Sequence, residues 1–497
     1  MPTRPPRRRR AIIAALLAAG GLSSVGVGCR IGPDYRGTPG PPMEPTYWQR
    51  RDVGMIDADD LIGDRDDRPD LTTTTPIVWS DLADDHLSSL ISLAQSDNPS
   101  LTEARWRIVE SRSLACIVAG QRCPFAEGFA GYETRKRSDN AQPFVGVLRK
   151  PFDFWTIGTA ARWEIDIVGR IAKEVEAARA DIGQQTALAG DVRRLISGEV
   201  ARQYILLRQS QRQLDVTREN LAIQRKALAV VEDRIAAGKV TRLDEVQLRS
   251  RLELTEAGEP VFAQNVETAY HALSRLTGTT PGPRTAYLLN VEPQLAPEGV
   301  DPGLPADLLR RRPDVRAAER RVARECALVG VARSEYYPRL ALLGTLAFES
   351  RKGSNLFEYE SLAFAIGPQF TWNILSLGRI ESAVAAQRAR VQQAVANYQT
   401  VVLAAAAEVE DALAAQRRQR QRAADLREAV ETAEEAVELS LEQYEAGKVT
   451  IERVVSNQRR LLRAQLELTD AEARSAEATV NAFQAIGGGA ATHGGGC

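Results

Sequence analysis

The side chains able to do covalent or metal chemistry are few in this 497-residue chain, and they do not gather. The five cysteines are Cys29, Cys116, Cys123, Cys326 and Cys497, and the three histidines are His86, His271 and His493. No Cys-x-x-Cys pair occurs, and the histidines lie too far apart in sequence to set a metal-ligand spacing. Cys116 and Cys123 are open to a disulfide in an oxidising compartment, or are two small apolar side chains at a helix end. Cys326 reads as a core residue, and Cys497 sits on a glycine-rich tail. There is no nucleophile elbow and no phosphate loop. No metal or cofactor is expected, and an enzyme is the least supported reading. Lys plus Arg is 64 against 65 Asp plus Glu, a formal net charge of -1. That balance lacks the basic footprint of a nucleic-acid binder.

Cys29 is the cysteine with a legible chemistry. Arg7 to Arg10 form a basic stretch, Ala11 to Gly28 is an uncharged run of apolar and small residues, and Cys29 follows at once. The pattern is a secretory signal over residues 1–28. A lone transmembrane helix is the rival reading, and the Gly and Ser near its end argue against it. No other stretch reaches about 18 uncharged apolar residues, so no further helical span is expected. Gly26-Val27-Gly28-Cys29 resembles a bacterial lipoprotein cleavage box, in which the cysteine becomes the lipidated first residue. Gly26 stands where a large aliphatic residue is usual. Acyl anchors contribute about 0.8 kcal/mol per buried methylene, so a multiply acylated cysteine holds a bilayer firmly. Arg30, and not the aspartate resembling an inner-membrane retention signal, follows the cysteine, which favours the outer membrane.

The elements that would stand on this anchor repeat. Trp163 in WEIDIVGR matches Trp372 in WNILSLGR, and Ala237-Gly238-Lys239-Val240-Thr241 recurs as Ala446-Gly447-Lys448-Val449-Thr450, both offset by 209 residues. Gly278 and Gly487 keep that offset, whereas Pro99 and Pro313, and Pro124 and Pro338, are 214 apart. The five-residue change of register between Pro124 and Trp163 marks a loop. Each copy reads as a helix, two strands, a very long helix, a tight turn and a shorter helix. Arg379 to Ala446 holds 68 residues without Gly or Pro, and Lys448 to Ile486 another 39. Val391, Val395, Tyr398, Val402, Ala405, Val409 and Ala412 step by threes and fours, one buried seam of a coiled coil. At about 1.5 Å per residue the long helix spans roughly 100 Å and the arm after the turn about 57 Å. Two short helices laid end to end would match one long one, with the AGKVT turns together at one tip.

The strands alternate. Leu362, Phe364, Ile366, Phe370, Trp372 and Ile374 interleave with Ala363, Ala365, Gly367, Gln369, Thr371 and Asn373, and Ile157, Trp163, Ile165 and Ile167 interleave with Gly158, Arg162, Glu164 and Asp166. One apolar and one small or polar face fits a membrane barrel with a wet interior, and also a soluble sheet with one buried face. Two hairpins give four strands, too few to close a barrel in lipid. Eight, from a dimer, enclose little more than their own side chains, and twelve, from a trimer, leave a passage.

In sum these residues resemble the outer membrane factor family, in its lipoprotein branch serving resistance-nodulation-division efflux pumps. The resemblance runs from Cys29 to Gly489. It is carried by Cys29-Arg30-Ile31-Gly32-Pro33-Asp34-Tyr35, GLPADLLRRRPDVRAAE from Gly303 to Glu319, WEIDIVGR, VARQYILLR from Val200, GPQFTWNILSLGR and EVEDALAA from Glu408. It implies a mainly α chain with a membrane β part: a homotrimer with a twelve-stranded barrel in the Gram-negative outer membrane over a long periplasmic helical barrel. It also implies a periplasmic adaptor docked on the tip and an inner-membrane transporter of the RND type beneath. The expected domains are 1–28 signal, 29–80 lipidated extended segment, 81–280 first repeat, 281–303 equatorial linker, 304–487 second repeat and 488–497 glycine-rich tail. The sequence departs from the family pattern in the acidic stretch Arg51 to Pro76, a solvated loop by composition, and at Thr450, Ser456 and Asn457 after the second turn.

The site residues follow from this frame. Gly238 and Gly447 serve the tip turns, and Lys239, Val240, Thr241, Lys448, Val449 and Thr450 form the ring an adaptor would touch. Arg242, Asp244, Glu245, Glu452 and Arg453 are candidate gate charges, or ordinary solvated ones. Arg162, Glu164 and Asp166 are candidates to face the lumen, or members of a structural junction. The Arg417 to Arg422 run reads as a solvated helix face. Two rival functions remain at this point: the outer-membrane duct of a type I protein secretion system, and a lipid-anchored periplasmic coiled-coil scaffold without a pore.

Overall fold

The computed structural model describes residues 35, 85–136, 151–238, 240–282 and 312–488. Cys29, the signal stretch, the acidic stretch 51–76, Lys239 and all of 283–311 lie outside the described residues, as does the tail from 489. In chain order the described elements are α1 (Asp85–Asp97), α2 (Pro99–Gly120), β1 (Phe125–Arg135), β2 (Phe152–Ile165), α3 (Arg170–Ala236), α4 (Arg242–Glu256), α5 (Glu259–Leu276), α6 (Pro313–Ser334), β3 (Arg339–Ser350), β4 (Leu362–Thr371), α7 (Arg379–Glu445) and α8 (Ile451–Ala485).

The repeat seen in the sequence is a repeat of elements. α6 begins and ends 214 residues after α2, and α7 begins and ends 209 after α3. α8 begins 209 after α4 and ends 209 after α5. The connection between β1 and β2 runs over 136–151 and that between β3 and β4 over 351–361, so the five-residue difference falls in the hairpin loop. The copies differ in two ways from the simple order read in the sequence. Asn98-Pro99 divides α1 from α2: the Asn98 side chain accepts from Ser100 N at 2.9 Å, and proline opens the new helix. Gly258-Glu259-Pro260 divides the first arm into α4 and α5, because proline cannot donate into a continuing helix, whereas α8 runs unbroken for 35 residues.

α3 and α7 are each 67 residues long, about 100 Å of helix. Both end at a glycine with positive φ, Gly238 at 69° and Gly447 at 70°, a conformation that costs a side-chain-bearing residue about 1 kcal/mol or more. At the second turn Gly447 N donates to Tyr444 O at 2.9 Å and Lys448 N to Gln443 O at 2.8 Å, which satisfies carbonyls the helix would otherwise leave open.

The expected seam on α7 is buried from Val391 to Ala405 against Val315, Ala318, Val322, Cys326 and Val329 of α6, and at Val409 against Ala485 and Ile486 at the end of α8. Ala412 is half-buried, and the same spacing continues through buried Gln416, Ala423 and Val430. α6 and α8 both pack along α7, as two short helices beside one long one. Leu90, Val200, Leu207, Leu273, Val480 and Phe483 join α1, α3, α5 and α8 in one core midway along the rods.

The strands form one antiparallel sheet in the order β1-β2-β3-β4. Trp372, Ile374 and Ile167 continue the alternation in sequence but lie past the ends of β4 and β2. Register places Trp155 opposite Ser350, Ile157 opposite Phe348, and Leu346 opposite Phe364. Thr156 lies opposite Glu349, Ala160 opposite Thr345, and Ala341 opposite Gln369 on the other face. β1 and β4 each have a single neighbour within the chain, so both outer edges of the sheet stay open.

Candidate functional site

The sheet's apolar face is uncovered. Phe364 is 77% exposed, Ile366 74%, Phe370 66% and Leu346 52%, so this is not the buried face of a soluble sheet. The opposite face is mostly small and polar, with Glu127, Thr156, Gly158, Thr345, Glu349 and Gln369, and it also carries Phe125 and Phe129 of β1 and Leu343 of β3. Two open edges, an outward apolar band and a polar reverse describe one sector of a closed membrane barrel. The base of the band is marked twice. Trp163 Nε1 donates to Arg122 O at 2.9 Å and Trp372 Nε1 to Tyr336 O at 3.0 Å, equivalent positions in the two repeats. Each indole thus fixes a strand end to the corner where the preceding helix finishes. Amphipathic rings at that level suit a lipid–water boundary.

Of the three residues expected at the lumen, two hold the corner between β2 and α3. Arg170 bonds Glu164 at 2.9 Å and Glu174 at 2.5 Å. Asp166 Oδ2 accepts from Ala172 N at 2.8 Å, supplying the N-terminal cap that Gly169 cannot. Arg162 stands exposed on the polar face, opposite Leu343 and Phe125 in register.

At the tip the repeated pentapeptide divides its labour. Val240 and Val449 are partly buried against a cluster that includes Val231, Leu248, Tyr444, Ile451 and Val454. Thr241 caps α4 together with Asp244, whose Oδ2 accepts from Thr241 N and from Thr241 Oγ1, both at 2.9 Å. Arg453 occupies the equivalent position in repeat two, and Thr450 there makes no side-chain cap bond. Glu245 pairs with Arg249 at 2.7 Å along α4. Lys448, Arg242, Glu452 and Arg453 are exposed. Among the described residues no ion pair joins one turn to the other, so the gate charges are not brought together within one chain.

Two polar groups escaped the sequence reading. Arg234 donates to Tyr444 O at 3.1 Å and Glu445 O at 2.9 Å, with its guanidinium 4.8 Å from the Tyr444 ring centre. It ties α3 to the C-terminal end of α7, where a cation is favourable. The one available signal was a mismatch between repeats, since Gln443 aligns with Arg234 and Ile235 with Tyr444. The second group surrounds Arg312, 2% exposed, which bonds Glu408 at 2.6 Å, Asp314 at 2.7 Å and Ala485 O at 2.8 Å. Arg194 approaches Asp314 and Glu408, each at 3.9 Å, and pairs with Asp191 at 2.9 Å. Burial opposes the charge on Asp314, but Arg312 and then Arg194 outweigh it and hold that carboxyl below its ordinary value. The network joins α6, α7, α8 and α3 below the sheet. Cys326, buried on the α6 seam, has its thiol pushed up to about 11 by burial and by the Glu325 and Glu176 carboxylates. Cys116 and Cys123 are free and exposed. Among the described residues no His, Cys, Asp or Glu group could hold a metal, and no helix is long and apolar enough to cross a membrane.

Comparison with known proteins gives the same architecture. The chain matches the outer membrane efflux protein family over residues 90–279 and 304–488. It is 28% identical to outer membrane protein OprJ of Pseudomonas aeruginosa, over 90% of this chain and 92% of that one. A crystal structure of a membrane protein from Pseudomonas aeruginosa superposes with a TM-score of 0.80 at 27% identity, covering 93% of this chain and 98% of the other. The outer-membrane channel OprN superposes at 0.77 with 26% identity, covering 93% and 99%.

Proposed function

This chain belongs to the outer membrane efflux protein family and is an outer-membrane channel for efflux, and from that premise we propose how it works and what it joins. The working unit is a trimer in which three four-stranded sheets close edge to edge. Twelve strands leave a lumen lined by the Thr156, Thr345 and Gln369 face, while Phe364, Ile366 and Phe370 meet lipid. The exposed apolar face with both edges open is the observation that carries this reading. The paired rods continue the passage away from the membrane for about 100 Å, the scale of the periplasmic gap. It is a conduit and performs no chemistry on its cargo.

The tip is the place to close such a conduit. Arg242, Lys448, Glu452 and Arg453 are free to pair across subunits there, and exposed pairs contribute only about 0–1 kcal/mol each, so a docking partner can displace them. That partner is a periplasmic adaptor carrying cargo from an inner-membrane transporter of the proton-driven RND type. Cys29, lipidated, fixes the chain at the inner leaflet of the outer membrane. Co-purification from membranes after cross-linking tests the assembly. Recovery of an adaptor with a proton-driven transporter is expected, and recovery of an ATP-binding transporter in its place would move the protein to type I secretion.

A further inference from the structure

The two repeats are not equally covered, and the difference locates a missing neighbour. α6 packs against both long helices, α3 on one side and α7 on the other. Its repeat-one counterpart α2 packs against α3 and leaves Trp106 and Ile117 66% and 69% exposed. On α7 the surface matching the α6-facing side of α3 is equally bare: Ala177 is buried, and its counterpart Ala386 is exposed. The contact of α3 with α6 therefore has a twin, α7 with α2, that a single chain does not make.

The internal offsets identify the residues that meet in that twin. Inside the chain Asp181 of α3 lies 3.7 Å from Arg324 of α6. Arg390 stands 209 residues after Asp181, and Glu110 stands 214 before Arg324. Both are exposed, and Glu110 has no ion-pair partner among the described residues. A second pair behaves alike. Arg202 of α3 donates to Gln484 of α8 at 2.9 Å, and the counterparts are Asp411 and Arg275, again exposed. Arg275 also lies near Glu199 of its own α3, as a residue wedged between two long helices would. In both cases the charge on the long helix is inverted between repeats, Asp181 to Arg390 and Arg202 to Asp411, and the short helix supplies the complement.

We propose that Arg390 pairs with Glu110 of the partner subunit and Asp411 with Arg275 of the partner subunit, so that the seam between protomers accepts repeat two against repeat one and no other order. The proposal rests on the trimeric reading above and adds its code. If the bare face of α7 met a helix of the α6 type across the seam, Arg390 would face an arginine. If the open face of α2 met a helix of the α3 type there, Glu110 would face an aspartate. Like charges at a seam reject the wrong neighbour more effectively than the right pair holds its own.

The same correspondence supplies the test. A Cβ on Gly190 would lie 3.4 Å from Pro313 Cβ, close to disulfide spacing. The counterparts are Gln399 and Pro99. In a Cys116→Ser, Cys123→Ser background, Pro99→Cys with Gln399→Cys should give a disulfide-linked species of three-chain mass after copper–phenanthroline oxidation. Gly190→Cys with Pro313→Cys should link within one chain and keep single-chain mass. Separately, Glu110→Arg and Arg390→Glu should each lower the temperature at which the detergent-solubilised trimer dissociates, and the double variant should restore it. A trimer by native mass that neither cross-links nor shows this rescue overturns the pairing and leaves the trimeric reading intact. A monomer by native mass overturns both.

Discussion

Ile366→Arg separates a lipid-facing sheet from a water-facing one. Ile366 sits midway along β4, opposite Gly344, and is 74% exposed. Leu362 and Phe370 end the apolar row four residues to either side. At about 3.4 Å per residue and a tilt near 40°, that row is roughly 21 Å tall, close to the ~25 Å apolar band of membrane barrels. The substitution therefore falls near the bilayer midplane, where arginine costs about 2–4 kcal/mol. Three copies bring about 6–12 kcal/mol to bear on one trimer. If the face met water, an exposed substitution would fall within about 0.5 kcal/mol of neutral. The assay is the fraction of refolded protein that floats with lipid vesicles as a heat-dissociable trimer. Ile366→Arg should lose most of that fraction, and Thr345→Arg, on the polar face opposite Ala365, should keep it. Insertion of Ile366→Arg at the wild-type level would refute the assignment of faces.

Three further outcomes follow from the helical part. Phe483→Ala empties a fully buried position in the core shared by α1, α3, α5 and α8 and should cost about 3–5 kcal/mol per chain, read as a lower temperature of trimer loss. Asp314 has its carboxyl held below the ordinary value, so its stabilising contribution is complete above about pH 4 and disappears as pH falls through its lower native value. Asp314→Asn should flatten that acid limb in a stability-against-pH profile, and an unchanged limb would show the Arg312 network to be idle. Cys326, with its thiol at about 11, should resist iodoacetamide at pH 8 in the folded protein and react once denatured.

The long helices, their turns and the hairpins were legible because each depends on local pattern. A 3.5-residue apolar seam, a glycine needing positive φ, and a period of two are written in consecutive residues, and the 209-residue repeat stated each of them twice. The breaks at Asn98-Pro99 and Gly258-Glu259-Pro260 were visible as residues, but their effect depended on whether neighbouring helices bridged them. Asp244 illustrates what composition cannot reveal. Near a tip it reads as a free gate charge, yet three residues from Thr241 it becomes a cap. Glu164 and Asp166 likewise read as lumen charges by position, yet Glu164 pairs with Arg170, and Asp166 accepts from the start of α3, where a left-handed glycine offers no side-chain acceptor. Arg234 and Arg312 were missed because their partners, Tyr444 and Glu408, lie more than ninety residues away and only packing brings them near.

Current through single trimers in a planar bilayer bears most directly on whether three sheets enclose a wet passage. Thr345→Cys, on the polar face, should react with a charged aqueous thiol reagent and step the conductance, whereas Ile366→Cys should ignore the same reagent and leave current unchanged. A protein that carries no current, or whose Ile366→Cys reacts from the aqueous phase while Thr345→Cys does not, would contradict the account.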